Sequence, residues 1–168
     1  MPHAPLEPPD CYALDAAEGW LELGLAREAR RELESLAAHE EHPDVLEVWW
    51  KVASAEGHWE EAARWARALV RRQPERSAGW ITLAYALHEL GRTQEAYEQL
   101  VQVVDRFSER RHYTIPYNLA CYQCQLGHAE EALRWLRRAV AMCDSRTIQA
   151  MAAEDRDLAP LRKEIRRL

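Results

Sequence analysis

The chain has 168 residues, 48% of them hydrophobic and 30% charged, with a formal net charge of −6 and a pI near 5.7. That length suffices for one domain and no more, and the acidic balance argues against a phosphate backbone as the main partner. No apolar run approaches the roughly 20 residues needed to span a bilayer, so neither membrane nor nucleic acid is expected among its partners.

Residues 1–9 hold four of the eight prolines and read as an extended or disordered lead-in. The segment has neither a charged leader nor an apolar core, so no signal peptide is evident and a cytoplasmic location is expected. Cys11, Cys121, Cys124 and Cys143 fit that reducing compartment as small hydrophobes. All the basic residues except Lys51 and Lys163 are arginine, which hints at a GC-rich bacterial genome.

From Asp10 a pattern repeats. A glycine followed five residues later by alanine occurs as Gly24/Ala29, Gly57/Ala62, Gly91/Ala96 and Gly127/Ala132, each alanine preceded by Glu. The glycines stand 33, 34 and 36 residues apart, and Trp49, Leu83 and Leu119 lie eight residues before the last three. Around Gly91, Trp80, Leu83, Ala84 and Leu87 share one helical face, and Ala96, Leu100 and Val103 resume the spacing. Each copy reads as an αα-hairpin whose apolar stripe needs a neighbouring copy to bury it. The expected units are 10–42, 43–76, 77–112 and 113–144.

Within the units, Pro74 marks a helix stop, and Pro116 starts the first helix of unit four at about Ile115 or Pro116. Trp50 beside Trp49, with Ala53 three residues on, reads as a volume exchange within one packing layer. Unit one matches least well, with Ala13 and Ala16 at the bulky positions. Glu60 to Arg64, Glu130 to Arg134 and Glu131 to Arg134 place an acid about one turn before a base on the outer face of a second helix, and Arg64, Arg67, Arg71 and Arg72 read as a solvated ridge. Phe107 to Tyr113 is the expected flexible joint. Beyond Asp144 the period is lost. Thr147 to Ala153 then reads as a short helix, followed by a terminal helix capped by Asp157 with Pro160 in its first turn.

A period near 34 with a hairpin in each copy resembles the tetratricopeptide repeat (TPR) family, over roughly Asp10 to Asp144. The resemblance implies an all-α, right-handed αα-hairpin superhelix of about four repeats. Residues 145–168 would form C-terminal capping helices, with Leu158, Leu161 and Ile165 covering the last repeat's apolar edge. It also implies a non-catalytic interaction module that binds a peptide or helix of another protein in a concave groove. The alternative is a dedicated bacterial chaperone for a secreted or translocator client.

Carried over residue by residue, the family's groove positions fall on Glu18, Glu22, Asp44, Glu47 and Lys51 in the first two units. Ile81, Tyr85, His88 and Glu89 follow in unit three, then Tyr117, Cys121, Cys124 and Gln125 in unit four. The N-terminal part of that face is acidic and the rest aromatic or polar, which suits a segment with Arg or Lys at one end and an apolar anchor at the other. The basic clamp that some TPR proteins use for chaperone C-termini is missing, since Leu14, Glu18, Val48, Ala78 and Thr82 stand in its places. Cys121-Tyr-Gln-Cys124 is a CxxC without a second pair, so no metal, cofactor or catalytic centre is expected, the outside reading being a site shared with His88. Unit one shows no polar N-terminal cap, which leaves a homodimer open.

Overall fold

Glycine determines where each hairpin bends. Gly24, Gly57, Gly91 and Gly127 sit at φ of 73°, 72°, 74° and 84°, a left-handed conformation that costs a residue with a Cβ roughly 1 kcal/mol or more. At Gly24 the glycine N–H donates to the Leu21 carbonyl at 2.9 Å and the next N–H, of Leu25, reaches back to Trp20 at 2.8 Å. The same two bonds recur at 3.0 and 2.8 Å for Gly57 and His58, 2.8 and 2.9 Å for Gly91 and Arg92, and 3.0 and 2.8 Å for Gly127 and His128. This paired closure satisfies carbonyls that a helix end leaves open. The residue after each glycine then begins the second helix, its carbonyl accepting from Ala29, Ala62, Ala96 or Ala132. All four alanines are fully buried, so the small side chain is what lets paired helices approach.

The structure, a computed structural model, describes residues 4–36, 41–107 and 113–168. The described residues form α-helices and one 3-10 turn, with no strand. Packing divides the chain into two units, Met1–Ala86 and Leu87–Leu168. The first contains α1 (Asp10–Glu22), α2 (Ala26–Glu34), α3 (Pro43–Ala55), α4 (Trp59–Arg72) and most of α5 (Ser77–Glu89). The second contains the end of α5, then α6 (Thr93–Val101), α7 (Thr114–Gln125), α8 (Ala129–Met142) and α9 (Ser145–Glu154). A 3-10 turn (Ala159–Leu161) and α10 (Arg162–Ile165) follow. Most of the expected joint at Phe107–Tyr113 lies outside the described residues.

In the first unit an ionic and aromatic cluster ties one hairpin to the next. The Arg30 guanidinium, on α2, donates to Glu56 at 2.6 and 3.0 Å and to Glu61 at 3.0 and 2.9 Å. It lies 5.2 Å from the Trp49 ring centroid, and Trp49 stacks on Trp65 at 5.3 Å and 16°. Trp65 donates its indole N–H to Glu61 at 3.3 Å. These hydrogen bonds, the one from Arg30 foremost, hold the Glu61 carboxyl below its ordinary value. The bidentate geometry is the favourable arrangement for a partly buried arginine.

Several sequence expectations need correction. Arg134 pairs with Glu131 at 2.9 Å as expected, whereas Arg64 pairs with Glu61 at 4.0 Å, one residue closer in sequence than the expected Glu60, because i,i+3 neighbours also share a helix face. Arg64 also lies 4.2 Å over the Trp65 ring. Ala53 is fully buried beside Trp49, but Trp50 is only half-buried and faces a cleft, so the two do not exchange volume in one layer. α7 starts at Thr114 and places Pro116 in its first turn, where a missing N–H leaves no bond unmade. α9 starts at Ser145 with Asp144 as its cap, accepting from Thr147 N at 2.9 Å. Asp157 caps no helix: α10 begins after Leu161 without a side-chain cap. Leu158, Leu161 and Ile165 are buried.

Removing the hub of the ionic cluster should be costly. Arg30→Ala is expected to lower unfolding free energy by about 2 kcal/mol, since two partly buried carboxylates lose their partner. Because the folded-state pKa of Glu61 is depressed, its contribution is present above the ordinary value of 4.5 and disappears as pH falls through the folded value. Urea titrations across pH should show the difference between wild type and variant shrinking below that value; an equal difference at all pH values would contradict the account.

Candidate protein-docking faces

The expected groove residues of the first unit meet one another through Lys51. Its ammonium lies 2.8 Å from Glu18 on α1 and 3.5 Å from Glu47 one turn back on α3. Burial works against that charge, yet the hydrogen bond to Glu18 and the field of Glu47 raise the Lys51 pKa above its ordinary value. One cation between two carboxylates leaves the face acidic, and the exposed Glu22 adds to it. Asp44 lies in the first turn of α3, where His42 Nδ1 accepts from its N–H at 3.3 Å.

Glu47 and Lys51 also line a cleft of about 60 Å³ with Trp50, Leu69, Gln73, Arg76, Ala78, Gly79 and Thr82. Gly79 suits the close approach of α5 to α4, because a Cβ there would stand 3.2 Å from the Val70 nitrogen and 3.3 Å from Leu69 Cβ, tighter than ordinary contact. The Trp50 indole N–H is buried without a hydrogen-bond partner, an arrangement that costs on the order of 1–3 kcal/mol. Ile81 is half-buried, whereas Tyr85 is 39% exposed with its ring edge-on to Trp59 at 5.6 Å and 79°. Tyr12, Leu23 and Leu25 of the first hairpin are exposed as well.

In the second unit the expected groove residues are already engaged. The turn after α9 brings two carboxylates to them. Asp155 Oδ2 accepts from the Tyr117 hydroxyl at 2.9 Å and from the Cys121 thiol at 3.6 Å, and its Oδ1 accepts from the Asp157 N–H at 2.9 Å. Asp157 Oδ2 lies 2.8 Å from His88 Nε2, while Gln125 donates to the Asp157 carbonyl at 2.9 Å. His88 Nδ1 lies 3.0 Å from Thr93 Oγ1 and its ring leans on Tyr122 at 5.0 Å. Tyr117, Cys121 and Cys124 are buried, and only Glu89 and Gln125 of this set stand exposed.

These surroundings make poor chemistry and good packing. Burial pushes the Cys121 thiol far up, with the Asp155 charge adding to it; Cys124 is raised by burial and then by Asp157. Tyr117 is raised chiefly by burial. Raising a thiol's pKa disfavours the thiolate that acts as nucleophile or metal ligand. Among the described residues no group of three His, Cys, Asp or Glu is placed to hold a metal, and both ring nitrogens of His88 already have partners. His58 and His128 stand immediately before α4 and α8, with His128 Nδ1 2.7 Å from Gln123 Oε1. No described helix is long and apolar enough to cross a membrane.

Three residues escaped sequence reasoning. Trp50 looked like a core substitution, Asp157 looked like a helix cap, and Asp155 carried no reading of its own. The available clue was the Asp-x-Asp spacing itself, which lets one carboxylate close its own turn and the other project away.

No family model and no curated protein matches the chain. Solved structures do. Crystallised TPR-like repeats of a putative kinesin light chain from Podospora anserina superpose with a TM-score of 0.70 at 25% identity, covering 96% of this chain and 93% of that one. TTC0263, a thermophilic TPR protein of Thermus thermophilus, gives 0.69 at 18% identity, over 94% of this chain and 95% of that one. A MamA structure, MSR-1, gives 0.67 at 23% identity over 80% and 76%. Together with the fourfold glycine turn and its buried alanine, these likenesses show that the chain has the all-α fold of tetratricopeptide-repeat proteins.

Proposed function

We propose that the chain is a non-catalytic adaptor that holds a segment of another protein along the face of α1, α3 and α5 in its first unit. The TPR fold is an interaction scaffold in general, which supports a protein partner without saying which. The cleft lined by Glu47, Lys51 and Trp50 supports the reading: Trp50 forms part of its wall, and at its edge Glu18 and Glu47 flank the single ammonium of Lys51. A partner segment with an Arg or Lys beside an apolar residue matches it, the cation replacing or joining Lys51 between carboxylates. Tyr85 on α5 offers a second contact of the amphipathic kind that interfaces favour. The free thiols fit a cytoplasmic setting.

Two measurements test this reading. Full-length protein should retain a partner from its native host, and Glu47→Lys combined with Tyr85→Ala should weaken the purified complex about tenfold or more. Both side chains are far from the core, so melting temperature should stay within a few degrees of wild type; an unweakened complex would sink the assignment. Added salt should weaken wild-type binding, as an acidic face meeting a basic segment requires. For the non-catalytic part, Cys121 and Cys124 should resist a thiol reagent at mild alkaline pH until the chain is denatured, while half-buried Cys11 and Cys143 react in the native state. Rapid native labelling of Cys121 would reopen a redox role.

A further inference from the structure

The face of the second unit is not empty, and its occupant reveals what it binds. Four side chains from α5 and α7, His88, Tyr117, Cys121 and Gln125, converge on the single turn Asp155–Asp157. Tyr117, Cys121 and Gln125 act as donors, and each acceptor is an oxygen of that turn. Leu158, next in the chain, is fully buried while Arg156 between the two acids points to solvent. The recognised pattern is therefore acid, any residue, acid, leucine.

We propose that this face is a docking site for an acidic Asp-x-Asp-Leu segment of a partner protein, and that residues 155–158 are its resident competitor. The energetics favour recognition over simple covering. Taking two carboxylates from water is costly, and hydrogen bonds to them roughly restore what was lost, so an apolar plug would cover α7 at least as stably. What the polar pairing adds is selectivity, because a segment lacking either carboxylate leaves buried donors unmatched. The backbone of the 3-10 turn and α10 packs chiefly on α9, so the hold on α7 runs through these few side chains and Leu158. An external segment of the same pattern meets the same donors. Its handicap is the tethered resident, present at an effective concentration on the order of millimolar.

This proposal rests on the adaptor reading but uses a different face, so the two can fail separately. The probe is a fluorescein-labelled peptide with the sequence of residues 153–161, followed by anisotropy against the full-length chain. Wild type should bind weakly. Asp155→Ala with Asp157→Ala, which frees the face, should bind about tenfold more tightly or better, and a peptide with both aspartates changed to asparagine should not bind. If the double variant retains wild-type helicity yet binds no better, or binds the asparagine peptide equally, the proposal falls. Should that variant fail to fold, wild type decides. Millimolar peptide should speed hydrogen exchange of the amides of residues 155–168, and unchanged protection under those conditions overturns it. Loss of peptide binding with retention of a partner through Glu47 and Tyr85 would remove this site and leave the adaptor reading standing.

Discussion

A single turn, made four times, underlies the rest. Each first helix ends on a glycine whose positive φ closes two hydrogen bonds back into the helix, and five residues later an alanine with no exposed surface sits against it. Replacing that glycine strains the turn, and enlarging the alanine pushes the helices apart. Neither has a local remedy, because interiors are packed densely enough to transmit the change. The repeat thereby fixes where first-helix side chains emerge, and those side chains make up both proposed docking faces.

The two units solve the problem of polar groups near a core differently. In the first, Arg30 satisfies two carboxylates at once while its flat face lies on Trp49, so charge and aromatic stacking reinforce each other. In the second, the Tyr117 hydroxyl and the Cys121 thiol meet the Asp155 carboxylate, and His88 meets that of Asp157. The contrast matters energetically. A bidentate arginine brings compensating charge, whereas a hydroxyl and a thiol bring only dipoles, leaving Asp155 to depend on residual solvent.

Much of this was legible in the residues, for physical reasons. Glycine and alanine at fixed spacing are signals with one cheap structural meaning each, so hairpins and their edges could be read without any relative. That His88, Tyr117, Cys121 and Gln125 point the same way was legible too, since all four meet the Asp155–Asp157 turn in the structure. Their occupant was not. Asp157 followed by Pro160 carries the ordinary marks of a helix start, and the choice between capping a helix and reaching across to His88 depends on tertiary distances that local pattern does not encode. Trp50 escaped for a similar reason, since whether a tryptophan beside another fills a core or walls a cleft depends on what another helix places opposite it, here Ala78, Gly79 and Thr82 of α5.

The two proposed faces also differ in charge. Around Lys51, the acids Glu18 and Glu47 outnumber the base, which under the adaptor proposal favours a basic segment. Around Tyr117, side-chain donors converge on one turn, which under the second proposal favours an acidic segment. A face with bound carboxylates repels a second acidic segment until the first leaves, so binding at that proposed site would be exchange rather than addition. Exchange has a kinetic consequence: arrival cannot outrun departure of the resident turn, which makes the rate at which Asp155 and Asp157 let go the quantity that sets how quickly such a site responds.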